Sequence, residues 1–277
     1  MLQTTGYFGV GGGLAGGQPV LWERMTWKGV QAMHARGERL VILPVGATEQ
    51  HGPHLPLSTD TAIASAVCGY ASAITGVPVL PAISYAVSVG HTRHWPGTVS
   101  VTHETLALSI REAYEWIHAA GFDRILIVNS HFGNAATLHV AIDRLRYEYG
   151  EKLQVGLVET YFVTDRVKEY FLSDGADIHA NRAETDLMLH IDPDACVMEA
   201  VEDDEDRTAG TVFSYVVPRT SLNGVTGRPS LGKAARGAEL LEEMGQGLAS
   251  ILETARTEQA PLEWSSQPDN QQGTTHR

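Results

Sequence analysis

Cysteine is nearly absent from this chain, with only Cys68 and Cys196 among 277 residues. Two thiols are too few for a disulfide framework or a thiolate zinc site, and both read as core or boundary thiols. Long apolar runs are also missing. No stretch approaches the roughly 18 uncharged apolar residues of a membrane-spanning helix, so no membrane association is expected. Basic residues are scarce, with 20 Lys and Arg against 33 Asp and Glu and a net charge of -13. A nucleic-acid partner needs a basic face to neutralise phosphates, so that class is set aside. The first residues lack the positive and apolar regions of a secretion signal, and the expected location is the cytoplasm. No G-x-G-x-x-G follows a strand, which disfavours a dinucleotide-dependent oxidoreductase.

Hydrophobic residues make up 43% and charged residues 19%, proportions of a globular enzyme with one substantial core. Residues 1–19 are Gly-rich and read as irregular. Residues 20–256 read as a single domain, and 257–277 as a polar, disordered tail. Between the ends, apolar runs alternate with amphipathic stretches. Strands are expected over 39–45, 77–83, 124–129 and 153–159. Helices are expected from Asp60, over 102–120 with Thr102 as N-cap, and over 134–149, 182–190 and 232–254. Strands separated by helices require crossover connections. The fold class is therefore α/β, a three-layer αβα sandwich with a mainly parallel sheet. Sites in such sheets gather at the carboxyl ends of strands.

The segments leaving those strand ends are rich in ligating side chains. The stretch GATEQHGPHLPLSTD places Glu49, His51, His54 and Asp60 directly after the first strand. Glu49 and His51 are two apart, so in an extended segment they point the same way. His and carboxylate ligands together suit zinc, manganese or iron. NSHFGN places His131 at the end of a later strand, a natural third ligand. His179 and Glu184 stand five apart across a loop-to-helix boundary. Read singly, Asp60 could be a helix cap and Glu184 a first-turn acid facing a helix dipole.

These segments resemble the creatininase (creatinine amidohydrolase) family. GATEQHGPHLPLSTD is similar to its G-[ST]-x-E-x-H-G-x-H-L-P segment, and His91 to Thr98 to its H-x-x-x-P-G-T segment, where His94 is the candidate. NSHFGN resembles N-G-H-G-G-N, and His179 to Thr185 resembles H-A-G-x-x-x-E-T. Gly224-Val-Thr-Gly-Arg-Pro229 resembles a recurring G-V-x-G-x-P turn. The resemblance implies two divalent ions per subunit, zinc first, with manganese or iron as alternatives. Glu49, His51, Asp60 and His131 match family ligands, with Asp60 bridging. Creatininase itself carries a Glu where this chain has Gly133, and Glu184 is the expected substitute. His179 matches the catalytic His, a carrier of the proton to the leaving nitrogen, while a metal-bridging hydroxide attacks. Ser130, Phe132, Asn181 and Asp186 depart from the family pattern, so Phe132 and Asn181, with His94, are the expected substrate contacts. The implied activity is hydrolysis of a non-peptide amide, cyclic amide or amidine C–N bond in a small molecule, by a homo-oligomer that is often a hexamer. The alternatives are a formamide deformylase, a peptide-precursor peptidase, a ring-opening hydrolase of a cyclic keto sugar, or a non-catalytic member.

Overall fold

A computed structural model of the chain describes residues 17–262. Most of the Gly-rich N-terminal segment and most of the polar tail therefore lie outside the described residues. Three strands, β1 (Leu40–Val45), β2 (Arg124–Asn129) and β3 (Gln154–Glu159), pair in parallel in the order β1-β2-β3. The register is unshifted, with Val45 opposite Asn129 and Asn129 opposite Glu159. All three carboxyl ends therefore stop at one level.

Residues 77–83 run parallel to β1 on its free side but do not form a regular strand. Ile42 pairs with Val79 and Val45 with Ile83 as isolated bridges. Pro78 and Pro81 supply no amide hydrogen, so the ladder cannot be continuous. The backbone bonds that do form, such as Ile83 N–H to Pro44 C=O at 3.0 Å, keep this segment against the sheet.

Alternation along the strands separates two cores. Leu40 and Ile42 of β1, with Leu126 and Val128 of β2, face α2 (Thr59–Thr75), α6 (Arg182–Ile191) and α7 (Ala234–Thr257). Val41, Leu43, Val45, Ile125 and Ile127 face α1 (Trp27–Ala35), α3 (His103–Ala119) and α4 (Ala135–Tyr149). The result is the αβα sandwich that the sequence implies. On the first face, small residues bring helices together. A Cβ at Gly245 of α7 would meet Tyr70 Cδ1 of α2 at 2.2 Å, and one at Gly237 would meet Asp186 C=O of α6 at 1.8 Å.

Two helices escape the sequence reading, α1 and α5 (Asp165–Leu172). Each begins at a threonine whose hydroxyl accepts a backbone N–H, Thr26 from Gly29 and Thr164 from Val167. Both are short, and Gly29 weakens the helical signal of the first. No described helix is long and apolar enough to cross a membrane.

Candidate metal centre

The chain leaves β1 at Gly46, where a Cβ would lie 2.5 Å from Thr61 N and Cα. Glycine lets the first turn of α2 fold back against the strand end, and Asp60 sits in that turn. The intervening loop carries Glu49 and His51 to the same level, both buried. His131 follows β2 after one residue, Ser130. Its main chain is bracketed by Asn129, whose Oδ1 accepts His131 N–H at 3.2 Å while Nδ2 donates to His131 C=O at 2.7 Å. The Asn129 amide also donates to Glu159 Oε2 at 2.6 Å, which ties β2 to the end of β3. Glu184 lies in the first turn of α6, and Asn181 caps that helix by accepting Glu184 N–H at 3.1 Å.

Five expected ligands thus converge from three elements and one loop. His51 Nε2 is 3.3 Å from Asp60 Oδ1, and His131 Nδ1 is 3.3 Å from Asp60 Oδ2. Asp60 lies between the two imidazoles, where a bridging carboxylate would have to be. Glu49 Oε2 is 3.1 Å from His131 Nε2. Ligand atoms of Glu49, Asp60 and His131 fall within 4.8 Å of one another, and so do those of His51, His179 and Glu184.

The outer nitrogens of the two candidate ligand imidazoles, His51 and His131, are spoken for. His51 Nδ1–H donates to Glu49 C=O at 3.0 Å, and His131 Nε2–H to Val87 C=O at 2.9 Å. A neutral imidazole that donates at one nitrogen bears a lone pair at the other. In their neutral form both rings therefore turn lone pairs toward Asp60. Gly133 protects this arrangement, because a Cβ there would lie 2.5 Å from His131 Nε2 and 2.7 Å from Val87 C=O.

Charge makes the same point. Both carboxylate oxygens of Glu49, Asp60 Oδ2, Glu184 Oε2 and His51 Nε2 are buried without an aligned hydrogen bond. Such groups are costly unless something pairs with them. In the protein alone, protons must supply the positive charge. Burial works to depress both imidazoles, but Asp60, then Glu184 and Glu49, push His51 up to about 10. Glu49 and Asp60 likewise push His131 up to about 9. Burial works to raise Asp60, yet His51 and His131 hold it well below the usual carboxylate range. Burial pushes Glu184 up to about 7, against the pull of His51. Burial, with repulsion from His91 and His51, holds His179 well below the usual imidazole range. Three carboxylates and two inward lone pairs form a donor set suited to borderline divalent cations, and the orphaned atoms are those that a cation would satisfy.

Above the cluster opens a cavity lined in part by Val87, Ser130, Phe132, Tyr161, Ile178 and Val217. Phe132 stands at its rim, 54% exposed. Two expected substrate contacts lie elsewhere. Asn181 is turned into its helix cap, with Nδ2 donating to Phe171 C=O at 3.1 Å, and does not line the cavity. His94 is exposed and packs edge-on against Trp95. His91, three residues earlier in the same segment, lines the cavity instead, with Nε2 at 2.9 Å from Glu49 Oε1. Only the His-rich spacing of that segment could have pointed to it. His54 is a structural tie, donating from Nε2 to Thr185 Oγ1 at 3.0 Å and so fastening the loop to α6. Asp186 faces away and accepts from Tyr170 O–H at 2.5 Å.

Comparison with known proteins agrees with this geometry. The creatininase family, described as creatinine amidohydrolase, is matched over residues 23–252. The mycofactocin precursor peptide peptidase of Mycolicibacterium smegmatis is 34% identical over 227 residues, 77% of this chain and 84% of that protein. The creatinine amidohydrolase of Pseudomonas putida is 30% identical over 246 residues, 82% of this chain and 94% of that protein. Two solved forms of creatininase, a mutant of the Zn–Zn type and a manganese form, each match with a TM-score of 0.75. Each is 26% identical, and the match covers 87% of this chain and 100% of theirs. With the family matched across nearly the whole described chain, this protein is a hydrolase that belongs to the creatininase family.

Proposed function

We propose that the chain hydrolyses an amide-type C–N bond of a small molecule with the help of two divalent ions, zinc in the first instance. Glu49, Asp60 and His131 would hold one ion, and His51, Asp60 and Glu184 the other. The observation that carries this reading is the set of orphaned, buried carboxylate and imidazole atoms converging on Asp60. Ions bound there would lower the pKa of a bound water toward neutrality and polarise the scissile carbonyl.

The protein's own part is placement. Phe132, Tyr161 and Val217 line the cavity and would flank the scissile group. His179 faces the cluster, with Nδ1 at 3.4 Å from Glu49 Oε1, where it would touch the reacting atoms. Hydrolysis adds O–H to the carbonyl carbon and H to the leaving nitrogen. Water supplies both.

A second reading is removal of a residue or short segment from a peptide. Its support is the 34% identity to a peptide peptidase, together with the exposed apolar rim of Val89 and Phe132. A homo-oligomer is part of the proposal. Exposed Trp116, Val212, Phe213 and Leu222 are apolar side chains that a partner subunit could cover. The test is to strip the protein with chelator, restore it with zinc or manganese, and assay creatinine, other lactams and short peptides. Turnover on none of them in protein with full metal content would remove the reading.

A further inference from the structure

Gln50 stands between Glu49 and His51 and reaches away from the ligands, toward two other imidazoles. Its Nε2 lies 2.9 Å from His91 Nδ1, 2.9 Å from His179 Nε2 and 3.2 Å from Gly224 C=O. We propose that Gln50 is a positioning residue that fixes the tautomers of His91 and His179, so that His179 serves as a neutral N–H donor to the reacting atoms. It is then neither a metal ligand nor a carrier of protons. This rests on the hydrolase reading above and refines the role of His179 within it.

Backbone groups determine the orientation of the Gln50 amide. Gly52 N–H donates to Gln50 Oε1 at 2.9 Å, and Gly224 C=O accepts from Nε2. Exchanging the oxygen and nitrogen would set N–H against NH₂ and carbonyl against carbonyl, in a side chain that is 4% exposed. Buried groups left so mismatched are strongly disfavoured. The NH₂ therefore faces both rings. Its two hydrogens serve three acceptors, and the longest contact, to Gly224, is the shared one.

Both ring nitrogens that meet this NH₂ must be acceptors. A neutral imidazole accepting at one nitrogen carries its hydrogen on the other. His91 then carries its hydrogen on Nε2, the nitrogen 2.9 Å from Glu49 Oε1, and His179 carries its hydrogen on Nδ1, 3.4 Å from the same oxygen. The contrast with the ligands is direct. The outer nitrogens of His51 and His131 meet backbone carbonyls, so lone pairs point inward. The outer nitrogen of His179 meets a donor, so a hydrogen points inward. Nδ1 then has no lone pair with which to bind an ion or take a proton. A second ring hydrogen, at Nε2, would point straight at the NH₂. A neutral imidazole N–H aimed at developing negative charge stabilises it without changing its own protonation.

The rest of the chain is shaped to keep Gln50 there. Gly224 has φ +80, and a Cβ on it would lie 2.1 Å from Gln50 Oε1 and 2.7 Å from Cδ. This gives the G-V-x-G-x-P turn its reason. Thr226 N–H donates to His179 C=O at 2.8 Å, so one turn holds both partners. Among the described residues, the two non-glycine positions with positive φ are Thr92 (57) and Ala180 (49). They directly follow His91 and His179. Strain of this kind persists only where surroundings enforce it.

The test reads the rings themselves. Zinc-loaded protein with ¹⁵N-labelled histidine is examined by magic-angle-spinning ¹⁵N spectroscopy at neutral pH, with His179→Asn and His91→Asn used for assignment. His179 is expected to show a hydrogen-bearing Nδ1 and a bare Nε2. In Gln50→Glu the carboxylate accepts instead, and a hydrogen should appear on at least one of the two nitrogens that face it, His91 Nδ1 or His179 Nε2. Wild-type His179 with hydrogen on Nε2, on both nitrogens, or with Nδ1 bound to zinc overturns the proposal. No substrate is needed, so failure of the hydrolase reading leaves this outcome intact. On any substrate found, His179→Asn, whose amide N–H can occupy the place of Nδ1–H, should stay within about tenfold of wild type. His179→Ala should lose about 10²–10³-fold in kcat, the usual effect of one oxyanion donor, with metal content kept in both. Equal losses in the two variants would restore the proton-carrying role.

Discussion

Removing the proposed ions should make the protein's stability fall as pH rises above neutral, and restoring them should abolish that slope. The perturbation is chelation followed by titration from pH 7 to 10. His51 and His131 have folded pKa values of about 10 and 9, against 6.5 when unperturbed. A pKa raised on folding means extra protons bound by the native state. The resulting stability is complete below pH 6.5 and is lost as pH rises through 9 and 10. Glu184, raised to about 7, adds to the loss near neutrality. His179, shifted downward, acts in the opposite sense, but only below about pH 6.5. At 1.36 kcal/mol per unit, two imidazoles together contribute on the order of 5 kcal/mol between pH 7 and 9, as an upper bound. At roughly 2 °C per kcal/mol for a chain of this size, Tm should drop by about 10 °C. With metal bound, the ions replace these protons and the loss should vanish. The assay is thermal unfolding of chelated and zinc-loaded protein at fixed protein concentration across the range. Equal slopes with and without metal, or a flat Tm for the chelated protein, would refute the reasoning.

Asp60→Ala should lose both ions and all turnover by metal analysis, because its two oxygens face both ligand imidazoles. Glu184→Gln should lose part of the metal while the other ion stays. Gly133→Ala should displace His131 from Val87 C=O and weaken metal retention by about 10–100-fold, as expected when an outer-shell partner is lost; unchanged retention in competition with a chelator would show the site yields easily. Gly237→Leu should separate α6 from α7 and cost about 1–3 kcal/mol, read as a lower Tm. Light scattering should give a particle several times 30.0 kDa, and a monomer at micromolar concentration would remove the oligomer from the proposal.

Much of this architecture is legible in the residues alone. The β1, β2 and β3 runs are short, apolar and bounded by polar or glycine-rich turns, so periodicity and length place their ends within a residue. Residues 77–83 read as a strand because they are apolar, yet Pro78 and Pro81 leave them only bridges. Apolarity reports burial, while a ladder also requires donors. At the centre, the structure brings Glu49, His51, Asp60, His131, His179 and Glu184 together because strand ends and helix starts share one level. His94 and Asn181 fall outside the cavity for local reasons. Near His94 the chain turns at Thr92, which sends His91 inward and His94 out to Trp95. Asn181 precedes a helix, and an Asn there is as good a cap as a substrate contact. Gln50 carries no chemical signal in sequence, since an amide gains meaning only from partners distant in the chain.

The packing of α7 has a consequence in time as well as space. Asp60 rides on α2 and Glu184 on α6, and both helices lie against this last helix. The two carboxylates are 124 positions apart; α2 and α6 touch each other directly, and the helix starting at Ala234 packs along both. A chain truncated at Lys233 is therefore expected to keep the β1 loop and His131 close, yet to lack a stable seat for Glu184. During synthesis the centre would become competent to hold its full complement of ions only after the final helix has emerged and docked.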